Sequence, residues 1–150
     1  MIRRILVPVD GSEHAARAID LAADIALKYG CPLDLLHVQM ELSSARIPRA
    51  LESYVQMEHA EMSEAELLRQ AGAELLAQAE ARARKAGVQA VGTVLVAGDA
   101  AAGIAEHARA NDVDLIVMGR RGLGGLGGLL LGSVSHKVAQ SAPCACMTVK

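Results

Sequence analysis

Five short apolar runs, each set apart from the next by a stretch of helical periodicity or a glycine-rich loop, constrain this 150-residue chain more than any other feature. Strands joined through helices cannot pair as hairpins. They pair in parallel, through right-handed crossovers that put helices on both faces of one sheet. The predicted fold class is therefore α/β, a three-layer sandwich around a five-stranded parallel sheet, Rossmann-like in plan. Ile2 to Val9 is the first strand, with Pro8 near its end, where a lost backbone donor is tolerable or a ligand approaches. Ser12 N-caps a helix with Glu13 in its first turn and an apolar stripe through Ala15, Ala18, Ala22, Ile25 and Tyr29, stopped by Gly30. Leu33 to Val38 is the second strand. Gln39 to Met62 fits a short helix or a flap. Ser63-x-x-Glu66 is a capping box for a helix with Leu67, Ala71, Leu75 and Ala79 on one face, ending by Gly87. Val88 to Val96 is the third strand, Asp99 caps a helix through Ala110, Val113 to Met118 is the fourth strand, and Ala145 to Val149 is the fifth.

After the fourth strand comes Gly119 to Ser135, which holds half of the chain's 14 glycines. Glycine collects where backbone amides must approach an anion, because no Cβ stands in the way. The stretch runs into Gly132-Ser133-Val134-Ser135, the start of a helix, where unpaired N–H groups and a partial positive charge favour phosphate. A P-loop lysine is missing after the last glycine. Gly122-x-Gly124-x-x-Gly127 matches the dinucleotide fingerprint in letters, but no helix opens after Gly127. No Asp or Glu follows Asp114 to hold a ribose as that fingerprint requires. The spacing that fits throughout is Gly119-x-x-Gly122, nine residues, then Gly132-Ser133.

That spacing resembles the G-x-x-G-x9-G-[S/T] signature of the ATP-binding branch of the universal stress protein family. The resemblance extends over nearly the whole chain, through Ile5 to Ser12, Asp114 to Gly119 and Ala142-Pro143-Cys144. Arg120 departs from it, at a place more usually small and polar, and four further glycines fill the loop. The resemblance implies strand order 3-2-1-4-5, with a ligand crevice between the first and fourth strands. It implies that ATP is held by Pro8, Val9, Asp10, the backbone of Val38, Met118, Gly119, Arg120, Gly122, Gly132, Ser133, Val134 and Ser135. Mg or Mn would sit with the phosphates near Asp10. For Asp10, local sequence leaves a second role open, since Asp-Gly-Ser is ordinary turn chemistry. The resemblance also implies a homodimer formed through the C-terminal edge strand.

Composition narrows the classes. At 52% apolar and 21% charged residues the chain is globular, and its length suits one domain, residues 1–150. Neither Phe nor Trp is present and Tyr29 and Tyr54 are the only aromatics, so the core is aliphatic and no base-stacking platform exists. A formal net charge of −2 gives no general attraction to nucleic acid or an anionic membrane. Asp10 interrupts the N-terminal apolar run too early for a signal peptide or a membrane span. Three cysteines suggest no disulfide framework, which points to reducing cytoplasm. Cys144 and Cys146 share a strand face but lack a second pair, and read as buried small hydrophobes, not zinc ligands. His14, His37, His59, His107 and His136 are scattered and receive no catalytic role. With no carboxylate beyond Asp114 to orient water, the reading is a regulatory ATP-binding module with slow or no hydrolysis and an unidentified protein partner. An ATP-hydrolysing or phosphotransfer enzyme and a nucleotide-free interaction module are the alternatives.

Overall fold

The computed structural model describes residues 1–39, 64–123 and 131–150. Its strands are β1 (Ile5–Pro8), β2 (Leu33–Gln39), β3 (Val91–Ala97), β4 (Leu115–Gly119) and β5 (Ala145–Val149). Between them lie α1 (Glu13–Tyr29), α2 (Glu64–Lys85), α3 (Ala100–Ala110) and α4 (Ser133–Ser141). All strand pairs are parallel and the order is β3-β2-β1-β4-β5, as the resemblance implied. The fold is the anticipated α/β sandwich. The predicted flap or helix at Gln39 to Met62 and the capping serine at Ser63 fall outside the described residues, apart from Gln39, which closes β2.

Alternation along the strands sends their side chains to two cores. Ile5, Val7, Leu33, Leu35 and Val117 pack under α1 and α2, while Leu6, Leu36, Ile116 and Met118 pack under α3 and α4. Alanines at Ala18, Ala22, Ala23 and Ala26 let α1 lie close to the sheet. Tyr29, placed on that stripe by its spacing, is 51% exposed, because the buried face follows Ala15, Ala18, Ile19, Ala22 and Ala26 around the helix and leaves Tyr29 on its rim. In α2 the buried face is Gly72, Leu76, Ala79 and Ala83. Of the predicted stripe, Ala79 is buried as expected and Leu75 is half-buried against the same core, but Ala71 is exposed, so the face is turned toward the following residues. The pairs Ala71-Gly72 and Leu75-Leu76 offered two stripes. Gly72 decided between them: a Cβ there would lie 2.9 Å from Leu95 Cδ1 and 3.1 Å from His37 Cδ2, so glycine alone lets the helix settle onto β2 and β3.

The helix signals hold where they can be seen. Ser12 Oγ accepts from Ala15 N–H at 3.2 Å, Asp99 Oδ1 accepts from Ala102 N–H at 2.9 Å, and Gly30 ends α1 in the left-handed region at φ 65°. Three strands begin later than expected, and backbone bonds made outside the ladder explain them. The Arg3 and Arg4 N–H groups are taken by Asp114 Oδ2 at 2.7 and 3.2 Å, which leaves the ladder to begin at Ile5. Val88 N–H bonds back to Ala83 O at 3.2 Å and so finishes α2 before β3 begins. Before β4, Val113 N–H bonds back to Ala108 O at 3.0 Å.

Between α1 and α2, Arg82 grips Asp20 through two bonds, Nε to Oδ1 and Nη2 to Oδ2, each 2.6 Å. The hydrogen bonds from Arg82 hold the Asp20 carboxyl below its ordinary 3.8. A depressed carboxylate pKa adds stability that is complete above the unfolded-state value and is lost as pH falls through the folded-state value. Both side chains are about half exposed, so the pair is worth roughly 0.2–1 kcal/mol. Asp20→Asn should therefore lower stability by that amount at neutral pH and by nothing at pH values well below 3.8. Urea unfolding at both pH values checks this, and an equal loss at both would refute it.

Candidate functional site

Strand order reverses at β1, whose neighbours β2 and β4 run to opposite sides, and such a switch point opens a crevice beyond the carboxyl ends of the strands. Ile5 pairs with Leu115 and Leu6 with Ile116, so the chain leaves β1 and β4 into the same crevice. On the β1 side Val9 is buried, with its N–H on Leu36 O at 2.8 Å. Gly11 then takes φ 81°, a left-handed turn that suits glycine. Ser12 N–H donates to Asp10 Oδ1 at 2.9 Å, so one carboxylate oxygen performs the turn role. The helix cap itself is Ser12. The other oxygen, Oδ2, faces the loop after β4: a Cβ added at Gly122 would collide with it. The earliest acid of the chain and its glycine loop do meet.

The glycines of the loop have different reasons for being glycine. At Gly119 a Cβ would lie 2.9 Å from His14 Cβ and 3.0 Å from both His14 C and Ala15 N, so the first turn of α1 packs directly on it. Gly132 has φ −69° and ψ 161°, a conformation open to any residue, and a Cβ there would meet Arg120 O at 3.3 Å. The loop closes on Arg120. Its N–H donates to Val149 O at 2.7 Å, and its carbonyl accepts from Gly132 N–H at 2.8 Å and from Ser135 Oγ at 3.0 Å. Ser135 is 2% exposed and its hydroxyl also reaches Gly132 O at 3.0 Å. This clasp sets α4 with its first turn at the crevice. As N-cap, Gly132 supplies no side-chain acceptor, and Ser133 and Val134 are exposed, which leaves the first amides of the helix open to an anion. Arg120 Nε is buried without a hydrogen-bond partner among the described residues, an orphan donor at the base of the same loop. Residues 124–130, with the remaining loop glycines, lie outside the described residues.

On the other flank, Val38 packs its side chain against the α3 and α4 core. Its backbone shares the direction of Leu36, toward β1, by the period of two. Pro8 is half-buried beside Val9, and Met118 is 4% exposed within the core that Leu6 and Val138 share. No three His, Cys, Asp or Glu among the described residues are grouped to hold a metal ion. An ion at Asp10 would need ligands from phosphate as well.

Cys144 and Cys146 are half-buried against the α3 and α4 core. Burial pushes both thiols up from their ordinary value, as suits small apolar side chains packed on a core. Two polar arrangements had no signal in the reading of the chain. His37 Nδ1 meets Val9 O at 2.8 Å, inside the crevice. At the opposite end of the sheet, buried Asp34 takes Arg4 Nη1 at 3.2 Å, with His107 Nε2 at 3.9 Å. Gly92 lies across the ladder from Asp34, and a Cβ there would stand 2.8 Å from Asp34 Oδ1. A glycine inside a strand does signal such a close approach, and Gly92 was the one clue available.

Residues 1–150 match the family model described as the universal stress protein family. The chain is 36% identical over 150 residues to universal stress protein YxiE of Bacillus subtilis, with all of both chains covered. Among solved structures, universal stress protein UspA from Lactobacillus plantarum superposes with a TM-score of 0.77 at 27% identity, covering 99% of this chain and 98% of that one. A universal stress protein in complex with cAMP superposes with a TM-score of 0.71 at 27% identity, covering 99% and 97%.

The two glycines that frame the clasp should separate in their effect on folding. Gly119→Ala forces a methyl against the α1 backbone and should cost about 1–3 kcal/mol. Gly132→Ala keeps an allowed conformation and should stay within about 1 kcal/mol of the parent. Urea midpoints without ligand measure both, and equal losses would contradict this division.

Proposed function

Since the chain belongs to the universal stress protein family, we propose that it is a single-domain, cytoplasmic regulatory protein that binds ATP in the crevice between β1 and β4. The observation that carries this reading is the Arg120 clasp, which brings an uncapped helix start to the crevice that Asp10 enters from the other strand. The phosphates would lie along Gly132, Ser133 and Val134, where the Ser133 and Val134 amides are open, Gly132 has no Cβ to bar the approach and the helix dipole favours negative charge. The orphan Nε of Arg120 adds a cationic donor. Gly119, Gly122 and Ser135 shape the cradle from behind. Val38 would offer its peptide edge to the base, with Pro8, Val9 and Met118 forming the floor beneath the nucleoside. Asp10 Oδ2 would face the ribose or a Mg or Mn ion that takes its other ligands from the phosphates. The cAMP complex of a relative with 27% identity supports an adenine nucleotide as the ligand class.

Turnover should be slow. Phosphoryl transfer needs positioned water and cations about the γ-phosphate. No Asp or Glu follows Asp114, so the loop and α4 have no carboxylate to orient water. Such a site holds ATP without preferring the transition state, and occupancy would act on a protein partner.

Dimerisation would use β5, an edge strand with Met147 40% exposed. An unpaired edge invites pairing, and a two-fold axis would satisfy both copies. Because Val149 O faces β4, the N–H groups of Cys146 and Thr148 point to the open edge.

Calorimetric titration with ATP and Mg should give binding with a Kd of about 1 mM or tighter, and Asp10→Ala should weaken it about tenfold. Absence of binding at millimolar ATP would overturn the assignment. Single-turnover hydrolysis should run well below the roughly 1–100 per second of kinases. A rate within that range, abolished by Asp10→Ala with binding retained, would make the protein an enzyme. In sedimentation at micromolar concentration the protein should run as a dimer and Thr148→Pro as a monomer, since proline removes an edge donor. A monomeric parent would exclude this interface.

A further inference from the structure

We infer that His37 is a positioning residue that unzips β1 from β2 at the crevice and so frees the Val38 peptide for the base of the nucleotide. The last backbone bond between these strands runs from Val9 N–H to Leu36 O. In a parallel ladder the next rung would be Val38 N–H to Val9 O. Among the described residues that rung is not made, and the Val9 carbonyl accepts instead from His37 Nδ1 at 2.8 Å. A carbonyl is only an acceptor, so Nδ1 carries the proton. The ring is held in place from behind by α2, where Gly72 leaves room for it.

The consequence is a divided backbone. Leu36 and Val38 point their peptide groups toward β1, while Gln39 O points the other way and accepts from Gly98 N–H at 3.0 Å. With Val9 O already satisfied by the imidazole, Val38 N–H is left at the mouth of the crevice with no partner in the sheet. The same bond tethers the Val9 carbonyl, one peptide before Asp10, so a single side chain sets both the base side and the acid side of the pocket. His37 touches neither ligand nor phosphate in this arrangement; it acts through Val9 and Val38.

The inference rests on the proposed ATP site for its binding arm and on the protein alone for its exchange arm. Val38 amide hydrogen exchange is measured without ligand for the parent, His37→Leu and His37→Asn, whose Nδ2 takes the place of the imidazole Nδ1. The Val38 amide should exchange freely in the parent and in His37→Asn. In His37→Leu the vacated Val9 carbonyl should capture it and slow exchange about tenfold or more. In titrations, His37→Leu should weaken ATP about tenfold and inorganic triphosphate less than about twofold, with His37→Asn close to the parent. Should His37→Leu fail to fold, His37→Gln, whose amide nitrogen falls at the Nε2 position, serves the same comparison. Equal Val38 exchange in all variants would overturn the divided ladder. Equal weakening of ATP and triphosphate would overturn the base-side role. A parent that binds no ATP would overturn the proposed function together with that role, while the exchange of Val38 would still decide the ladder.

Discussion

Parallel pairing of β1 with both β2 and β4 is the constraint on which the rest of the structure depends. A parallel pair cannot be closed by a tight turn, so every connection must cross a face of the sheet and carry a helix with it. Once β1 takes β2 on one side and β4 on the other, the helices divide between the two faces. The connections leaving β1 and β4 then diverge, and the space between them is the crevice. No side chain has to be carved away to make it, since it follows from strand order.

The two ends of the sheet are finished in opposite ways. At the amino ends, the Arg3 and Arg4 amides lie on Asp114 and the Arg4 guanidinium lies on Asp34, a buried carboxylate held beside a glycine. That end is closed, with its buried polar atoms largely paired, as buried charge requires. At the carboxyl ends the chain keeps amides out of the ladder. The N-terminal turn of α4 has no side-chain cap, Arg120 Nε has no partner among the described residues, and His37 diverts the carbonyl that Val38 would have used. Unspent donors at the carboxyl end of the sheet are what an anionic ligand needs. Their cost is tolerable because solvent reaches the first turn of α4, where Ser133 and Val134 are exposed.

How much of this was legible in the chain depended on the range of the interaction involved. Ser12, Asp99 and Gly30 announce helix ends through bonds made within a few residues, and all three act as read. The spacing Gly119, Gly122, Gly132 and Ser133 marked a glycine loop that reads as a phosphate cradle, and the clasp at Arg120 shows how its ends are joined. Illegible were the choice of α2 face, the reason for Gly119, and the role of His37. Each depends on an atom from a distant element: Leu95 against Gly72, His14 against Gly119, Val9 against His37. Ala71-Gly72 and Leu75-Leu76 satisfy helical periodicity equally well, so only the sheet could choose between them.

The sequence by itself determined the element types, the parallel sheet and the glycine loop, because periodicity, capping chemistry and the avoidance of Cβ are local properties that a linear chain displays. The resemblance carried the strand order. Tertiary structure alone decided which glycines pack against other elements, since that depends on what a methyl would strike. It alone decided that Asp10 gives one oxygen to its own turn and turns the other to the loop, and that a histidine with no motif around it takes a carbonyl from the ladder. Hydrogen-bond acceptors compete in space, and a sequence records the competitors without recording their distances.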